Sequence, residues 1–313
     1  MARIRVASFG ECMLELQGPA FGALRQGQGG DTLNAAVYLA RCGRAAGIEV
    51  DYATALGDDG FSDAMAERWQ AEGVGTALVR RLPGRLPGLY WIETDARGER
   101  RFSYWRDSAA ARSYFDTPPG ETPLEREAHT LQALHFSGIS LAILPPEGRR
   151  RLLALAERLR EQGACVAFDN NYRPRLWPDV AVAREAFTAA GRVATLALMT
   201  LDDEQALWAE PDAARALAQT LALPAAEVVV KRGAAPTLVR TAARELLEVP
   251  TERVAQVVDT TAAGDSFAGA YLAARLAGAP PTAAAAAGNA LAARVIQYPG
   301  ALIPAEALGG QAG

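Results

Sequence analysis

Near its C-terminal end the chain reads VVDTTAAGDSFAGAYLAARL (Val257 to Leu276), where a β-branched run gives way to small residues, a glycine and an aspartate. Phe267, Tyr271, Leu272 and Leu276 recur at helical spacing, so a helix begins close to Asp265. The first N–H groups of such a helix have no internal partners and carry the positive end of its dipole. Thr260, Thr261, Ala262, Ala263 and Gly264 are small, which lets an anion approach that backbone. A carboxylate beside a bound phosphoryl group can accept the proton of a hydroxyl presented to it, and Asp265 stands in that position. Acidic residues also favour helix N-termini without any chemistry, so this stretch alone leaves both roles open for Asp265.

The remaining reactive residues narrow the chemistry. Lys231, in VVVKRG, is the single lysine; every other basic residue is an arginine, which suggests that a flexible point charge is wanted there. Three cysteines (Cys12, Cys42, Cys165) and two histidines (His129, His135) are scattered, with no CxxC or HExxH, which argues against a structural zinc site or a disulfide framework. Neither GxxxxGK[ST] nor a GxGxxG after the first strand occurs, so phosphate chemistry must use another scaffold and a nicotinamide oxidoreductase is disfavoured. A net charge of −4 without a basic run speaks against nucleic acid as a partner.

These residues need elements to hold them. IRVASF, VDYATAL, ALHFSG, CVAFDNN, VATLALMT and AEVVVKRG read as buried strands, and helical patterns such as EGRRRLLALAERLREQG lie between them. DTLNAAVYLARCG reads as a helix with Asp31 or Thr32 near its N-cap and Gly43 at its end. The alternation predicts an α/β fold with a mostly parallel sheet covered by helices on both faces. At 313 residues, half of them hydrophobic and 22% charged, the chain suits one soluble globular domain over 1–313. No apolar run reaches the ~18–20 residues of a membrane span and the N-terminus lacks a signal-peptide core, so a cytoplasmic location is expected.

One region breaks the pattern. TALVRRL and GLYWIETDARGERRFSYWR contain consecutive strand-like runs, the last two flanking a hairpin signal at Asp95-Ala-Arg-Gly98. They predict a small antiparallel sheet projecting as a lid, built from about 11–28 and 74–115; an edge hairpin extending the main sheet is the alternative. The last residues, Gly309 to Gly313, read as a frayed tail.

DTTAAGDSFAGAYLA resembles the C-terminal signature of the ribokinase-like carbohydrate kinases, and GGDTLNAAVYLAR (Gly29 to Arg41) resembles their N-terminal one. GECMLEL, SGISLAIL, FDNNYRPRLW, TLDDE, VVVKRGA and VIQYPGA extend the resemblance over nearly the whole chain, toward members that phosphorylate a keto sugar acid. It implies the three-layer ribokinase-like fold and an ATP- and Mg²⁺-dependent kinase. Asp265 then matches the base toward the substrate's primary hydroxyl, and the backbone N–H groups of Ala262, Ala263 and Gly264 match the anion hole. Gly29, Gly30 and Asn34 match sugar-binding positions, while Tyr90, Tyr104, Arg106 and Arg173 match positions that hold the keto acid. Asn171, Thr200, Lys231, Arg232, Gly233 and Asn289 fall on the nucleotide side. Where relatives carry N-x-x-E, this chain has Asp202 to Gln205, leaving Asp202 or Glu204 to order Mg²⁺ through water. Asp259-Thr260 and the late YPGA loop resemble a monovalent-cation site of some relatives. A lid sheet with an exposed face further suggests a homo-oligomer joined through the lid. A kinase for another sugar such as fructose or ribose, or a sugar-binding regulator without chemistry, are the competing readings; the intact Asp265 loop disfavours the regulator.

Overall fold

The computed structural model describes residues 3–94 and 100–308, so the expected turn at 95–98 and the expected frayed tail at 309–313 lie outside the described residues. The strands are β1 (Ile4–Phe9), β2 (Met13–Gln17), β3 (Arg25–Gly29), β4 (Ile48–Leu56), β5 (Val74–Gly75), β6 (Val79–Arg81), β7 (Leu89–Thr94), β8 (Arg100–Trp105), β9 (Ala133–Ser137), β10 (Cys165–Asp169), β11 (Leu196–Thr200), β12 (Glu227–Arg232), β13 (Ala235–Arg240) and β14 (Leu246–Val249). Ten of them form one sheet in the order β14-β13-β12-β11-β10-β9-β1-β4-β5, with β6 beside β4. Its pairings are parallel except where β13 and β14 close one edge.

Successive side chains along these strands enter opposite cores, as the pleat requires. Val6, Ala167, Leu198 and Val229 join one core; Phe9, Phe168, Met199, Val228 and Val230 join the other. The first core is covered by the helices Asp31–Gly43, Gly60–Ala71, Ala263–Leu276 and Pro281–Val295, through Leu33, Trp69, Phe267, Tyr271 and Ala284. The second is covered by Pro146–Glu161 and Val180–Val193, through Leu152, Leu155 and Phe187. Both faces are buried, and for that reason the strands read as unbroken apolar runs. The three-layer expectation is met. In detail, Gly30 is the N-cap and Asp31 the first residue of Asp31–Gly43, and the run VATLALMT becomes a strand only at Leu196, because Val193 still closes the preceding helix.

The helices of the first face approach closely. A Cβ on Gly269 would lie 2.7 Å from the Ala35 carbonyl oxygen, and one on Gly288 would lie 2.7 Å from the Phe267 ring. The alanine-rich Pro281–Val295 therefore packs as tightly as its small residues allow.

A separate four-stranded sheet, β3-β2-β7-β8, projects from this body. Its outer pairs are antiparallel and its central pair, β2 with β7, is parallel. The boundaries differ from those expected. β5 and β6 pair with β4 in the main sheet, and Ala110, Tyr114 and Phe115 belong to the main core. Leu78 explains the difference: it is fully buried in that core and holds its short run against β4, so of the stretch 74–115 only β7 and β8 belong to the projecting sheet.

Candidate active site

The C-terminal ends of β10, β11 and β12 and the start of Ala263–Leu276 face the small sheet across a cleft of about 630 Å³. Crevices at that end of parallel strands are where open α/β sheets bind ligands. Met13, Glu15, Tyr90, Arg100, Phe102 and Tyr104 line it from the small sheet.

At the helix start, Ala262 adopts a left-handed conformation (φ 59°, ψ 15°), which costs a residue with a Cβ on the order of 1–2 kcal/mol and turns the loop sharply into the helix. The Ala263 N–H donates back to the Thr260 carbonyl at 3.2 Å, so one of the three N–H groups expected to hold an anion already has a partner. Asp265 lies in the first helical turn, where its Oδ2 accepts from Nδ2 of Asn34 at 2.9 Å. Gly269, one turn on, permits the helix contact that brings these two side chains together. Burial, reinforced by the Asp31 and Asp169 carboxylates, pushes the Asp265 carboxyl up to about 7 against the opposing pull of Asn34 and Lys231. Asp31 in turn accepts from Nδ2 of Asn171 at 2.7 Å. The Lys231 ammonium donates to Asp169 at 2.9 Å and lies 3.5 Å from where a Cβ on Gly264 would stand. The lone lysine thus sits between a strand-end carboxylate and the small-residue loop.

The predicted binding residues divide into two groups. Gly29, Gly30, Asn34, Tyr90, Tyr104, Asn171, Arg173, Thr200, Asp202 and Lys231 line the cleft with 262–265. A Cβ on Gly29 would lie 2.2 Å from the Tyr90 hydroxyl and one on Gly30 2.2 Å from the Glu11 carbonyl oxygen, so these glycines leave room for the Tyr90 side chain and for the chain entering β2. Tyr90 donates to Glu15 and stacks on Tyr104, whose ring carries the Arg175 guanidinium 4.0 Å from its centroid. Arg173 is half exposed; it donates to the Tyr172 carbonyl at 2.8 Å and to Asp203 at 3.4 Å.

Arg106, Glu204, Arg232, Gly233 and Asn289 are not among the lining residues. Arg106 is buried behind the wall in an ion pair with Glu11, whose carboxyl burial pushes up despite that partner. Glu204 is buried with its oxygens taken by Asn170 and the Trp208 indole, and Asp203 lines the cleft in its place. Arg232 donates to the Pro236 carbonyl across the turn at Gly233, and Asn289 joins Thr237 to Pro250 inside the fold. Residues not singled out from sequence also meet here. Asp169 ends a parallel strand, a placement that could have marked it; Asp31 read only as a helix-end residue; Glu15 and Arg100 carried no signal. Arg100 donates to Asp259 at 2.9 Å, on the carboxylate that resembled a cation site. Among the described residues no cluster of three or more His, Cys, Asp or Glu forms a ready metal cage, and no helix is long and apolar enough to cross a membrane.

The family model described as pfkB family carbohydrate kinase matches residues 3–308. A 2-dehydro-3-deoxygluconokinase of Dickeya dadantii is 46% identical over 310 residues, covering 98% of this chain and 99% of that protein. The 2-dehydro-3-deoxygluconokinase of Escherichia coli K12 is 45% identical, with 97% and 98% covered. Among solved structures, the fructokinase with bound ATP from Xylella fastidiosa superposes with a TM-score of 0.79 at 26% identity, covering 97% of this chain and 94% of that one.

Proposed function

This chain belongs to the pfkB family of carbohydrate kinases, and we propose that it transfers the γ-phosphoryl group of ATP to the 6-hydroxyl of 2-dehydro-3-deoxy-D-gluconate, giving 2-dehydro-3-deoxy-6-phospho-D-gluconate. One observation carries the reading: a carboxylate raised to about 7 stands in the first turn of a helix whose approach is all small residues, at the end of a cleft with one lysine. The names of the Dickeya and Escherichia relatives support the substrate.

Phosphoryl transfer passes through a loose transition state, so the protein contributes alignment and charge rather than covalent chemistry. Asp265 accepts the hydroxyl proton, and at about 7 it is a better base than an ordinary aspartate near ~4 while about half of it is still ionised at neutral pH. Asn34 fixes its carboxylate from the neighbouring helix. Charge developing on the phosphoryl oxygens is met by the helix start and the backbone of Ala262 to Gly264, the Ala263 N–H turning from the Thr260 carbonyl to the incoming anion, with Lys231 alongside. Arg173, a guanidinium suited to a planar carboxylate, reads the acid end of the sugar, with Tyr90 and Tyr104 against its carbon chain. Arg106 supports this wall from behind through Glu11.

ATP lies along Asn171, Thr200 and Lys231, which line the cleft, and the ATP-bound fructokinase supports ATP as the donor. The oxygen donors Asp169, Asp202 and Asp203 suit Mg²⁺, which when bound offsets charge on the phosphate oxygens. The small sheet excludes water that would otherwise take the phosphoryl group. Its outer surface supports a homodimer. The test is ATP-dependent ADP release with the keto acid: the wild type turns over and Asp265→Asn does not, whereas near-wild-type turnover in the variant would overturn the assignment.

A further inference from the structure

Asp259 is 8% exposed, and four donors converge on its carboxylate. The Thr261 N–H and hydroxyl reach Oδ1 at 3.0 and 2.6 Å; the Gly300 N–H and Arg100 Nη2 reach Oδ2 at 3.0 and 2.9 Å. Three separate segments therefore meet on one side chain: the loop that leads into Ala262, the turn at Gly300, and β8 of the projecting sheet. Arg100 is its only salt-bridge partner among the described residues. It shares its face of β8 with Phe102 and Tyr104, as the two-residue period demands, so it reaches Asp259 across the cleft.

We propose that Arg100 is a positioning residue for phosphoryl transfer, supplying from the lid the positive charge that Asp259 needs before the loop 259–264 can receive an anion. This rests on the reading of 262–264 as the anion hole. A buried carboxylate beside that loop repels an incoming phosphate unless a cation neutralises it, and neutral donors hold its oxygens without cancelling its charge. The guanidinium does cancel it, and because it belongs to the lid the cancellation holds only while the lid is closed. Against the opposing effect of its burial, the hydrogen bonds from Arg100, Thr261 and Gly300 hold the Asp259 carboxyl well below the usual carboxylate range. Arg100 thus takes the place of a free monovalent ion at this carboxylate, and turnover becomes conditional on closure.

The experiment uses the full chain with ATP and the keto acid, measuring kcat, both KM values and melting temperature for wild type, Arg100→Ala, Arg100→Gln and Arg100→Lys. Wild type should be indifferent to exchange of K⁺ for Na⁺. Arg100→Ala and Arg100→Gln should each lose roughly 10- to 100-fold in kcat with the melting temperature nearly unchanged, and Arg100→Lys should recover most of it. Added guanidinium ion or K⁺ at tens of millimolar should raise the turnover of Arg100→Ala and not that of wild type. A glutamine variant with wild-type kcat, or an alanine variant that neither loses kcat nor responds to added cations, would overturn the proposal. Should Arg100→Ala fail to fold, the Gln and Lys pair decides it, since the two differ chiefly in charge. Wild type without kinase activity on the keto acid would instead sink the anion-hole reading itself.

Discussion

Asp265 combines two properties that normally exclude each other, burial enough to raise its pKa and a position beside groups that favour its charge. Burial and the nearby Asp31 outweigh Asn34 and Lys231 and take it to about 7. In its proposed role as base it works only when ionised, so kcat/KM, which reports the free enzyme, should fall tenfold per pH unit on the acid side of about 7. Asp265→Asn should remove that limb and lower kcat by ~10²–10⁴-fold with little change in substrate affinity. The same shift has a stability consequence. A carboxyl whose folded pKa lies above its unfolded value penalises folding increasingly from about pH 4 to about pH 7, and the penalty is constant above. The asparagine variant should therefore gain melting temperature over wild type across that window and hold the gain at pH 8; a gain that shrank as pH rose would contradict the assignment. Arg173 is the second test at this scale. Arg173→Ala should raise KM for the keto acid ~10-fold or more, from the loss of a charged hydrogen bond, and change far less the weak activity on a neutral analogue lacking the carboxylate.

Two glycines on one helix separate its packing from the chemistry proposed for it. A side chain at Gly269 would collide with Ala35, Tyr38 and Leu39 of Asp31–Gly43, while one at Gly264 would meet only the Lys231 ammonium at 3.5 Å. Gly269→Val should accordingly cost ~1–3 kcal/mol in urea unfolding by forcing the helices apart, and should weaken turnover through the lost Asn34 contact. Gly264→Val should fold with an unchanged midpoint and still lose activity, because its bulk stands where the phosphoryl approaches the backbone. If the valine at 264 proved fully active, the N–H groups of that turn would have no part in transfer. The sequence made this helix and its loop legible, since small residues before a 3.6-residue apolar period have few other meanings. It could not show Asp169 or Asp31 meeting Asp265, because β10, the Asp31 helix and the Ala263 helix are distant in the chain and meet only through sheet order.

Across the whole molecule, apolar runs with turn residues between them were enough to give three layers, and the departure at β7 and β8 was enough to give a projecting sheet. The error in its boundaries has a physical origin: a run such as TALVRRL has the same local character whether it pairs in a lid or on β4, and only burial of Leu78 decides. The lid's own composition carries one last consequence. Met13, Glu15, Tyr90, Phe102 and Tyr104 face the cleft, so the pleat turns Leu16, Trp91 and Trp105 to the opposite side. Trp105 is 59% exposed there, Phe21 in the β2–β3 connection is fully exposed, and β3 and β8 are open sheet edges. Large aromatic side chains beside open edges favour association through that face, and a closed pair of lids would use both. Sedimentation velocity at micromolar concentration should find a dimer, and Phe21→Asp combined with Trp105→Asp should convert it to a monomer of unchanged melting behaviour. Because the proposed mechanism has each lid close over its own cleft, the monomer should also show a raised KM for the keto acid before any loss in affinity for ATP. A dimer that survives both charges would mean that the contact lies elsewhere and that these aromatics serve the lid alone.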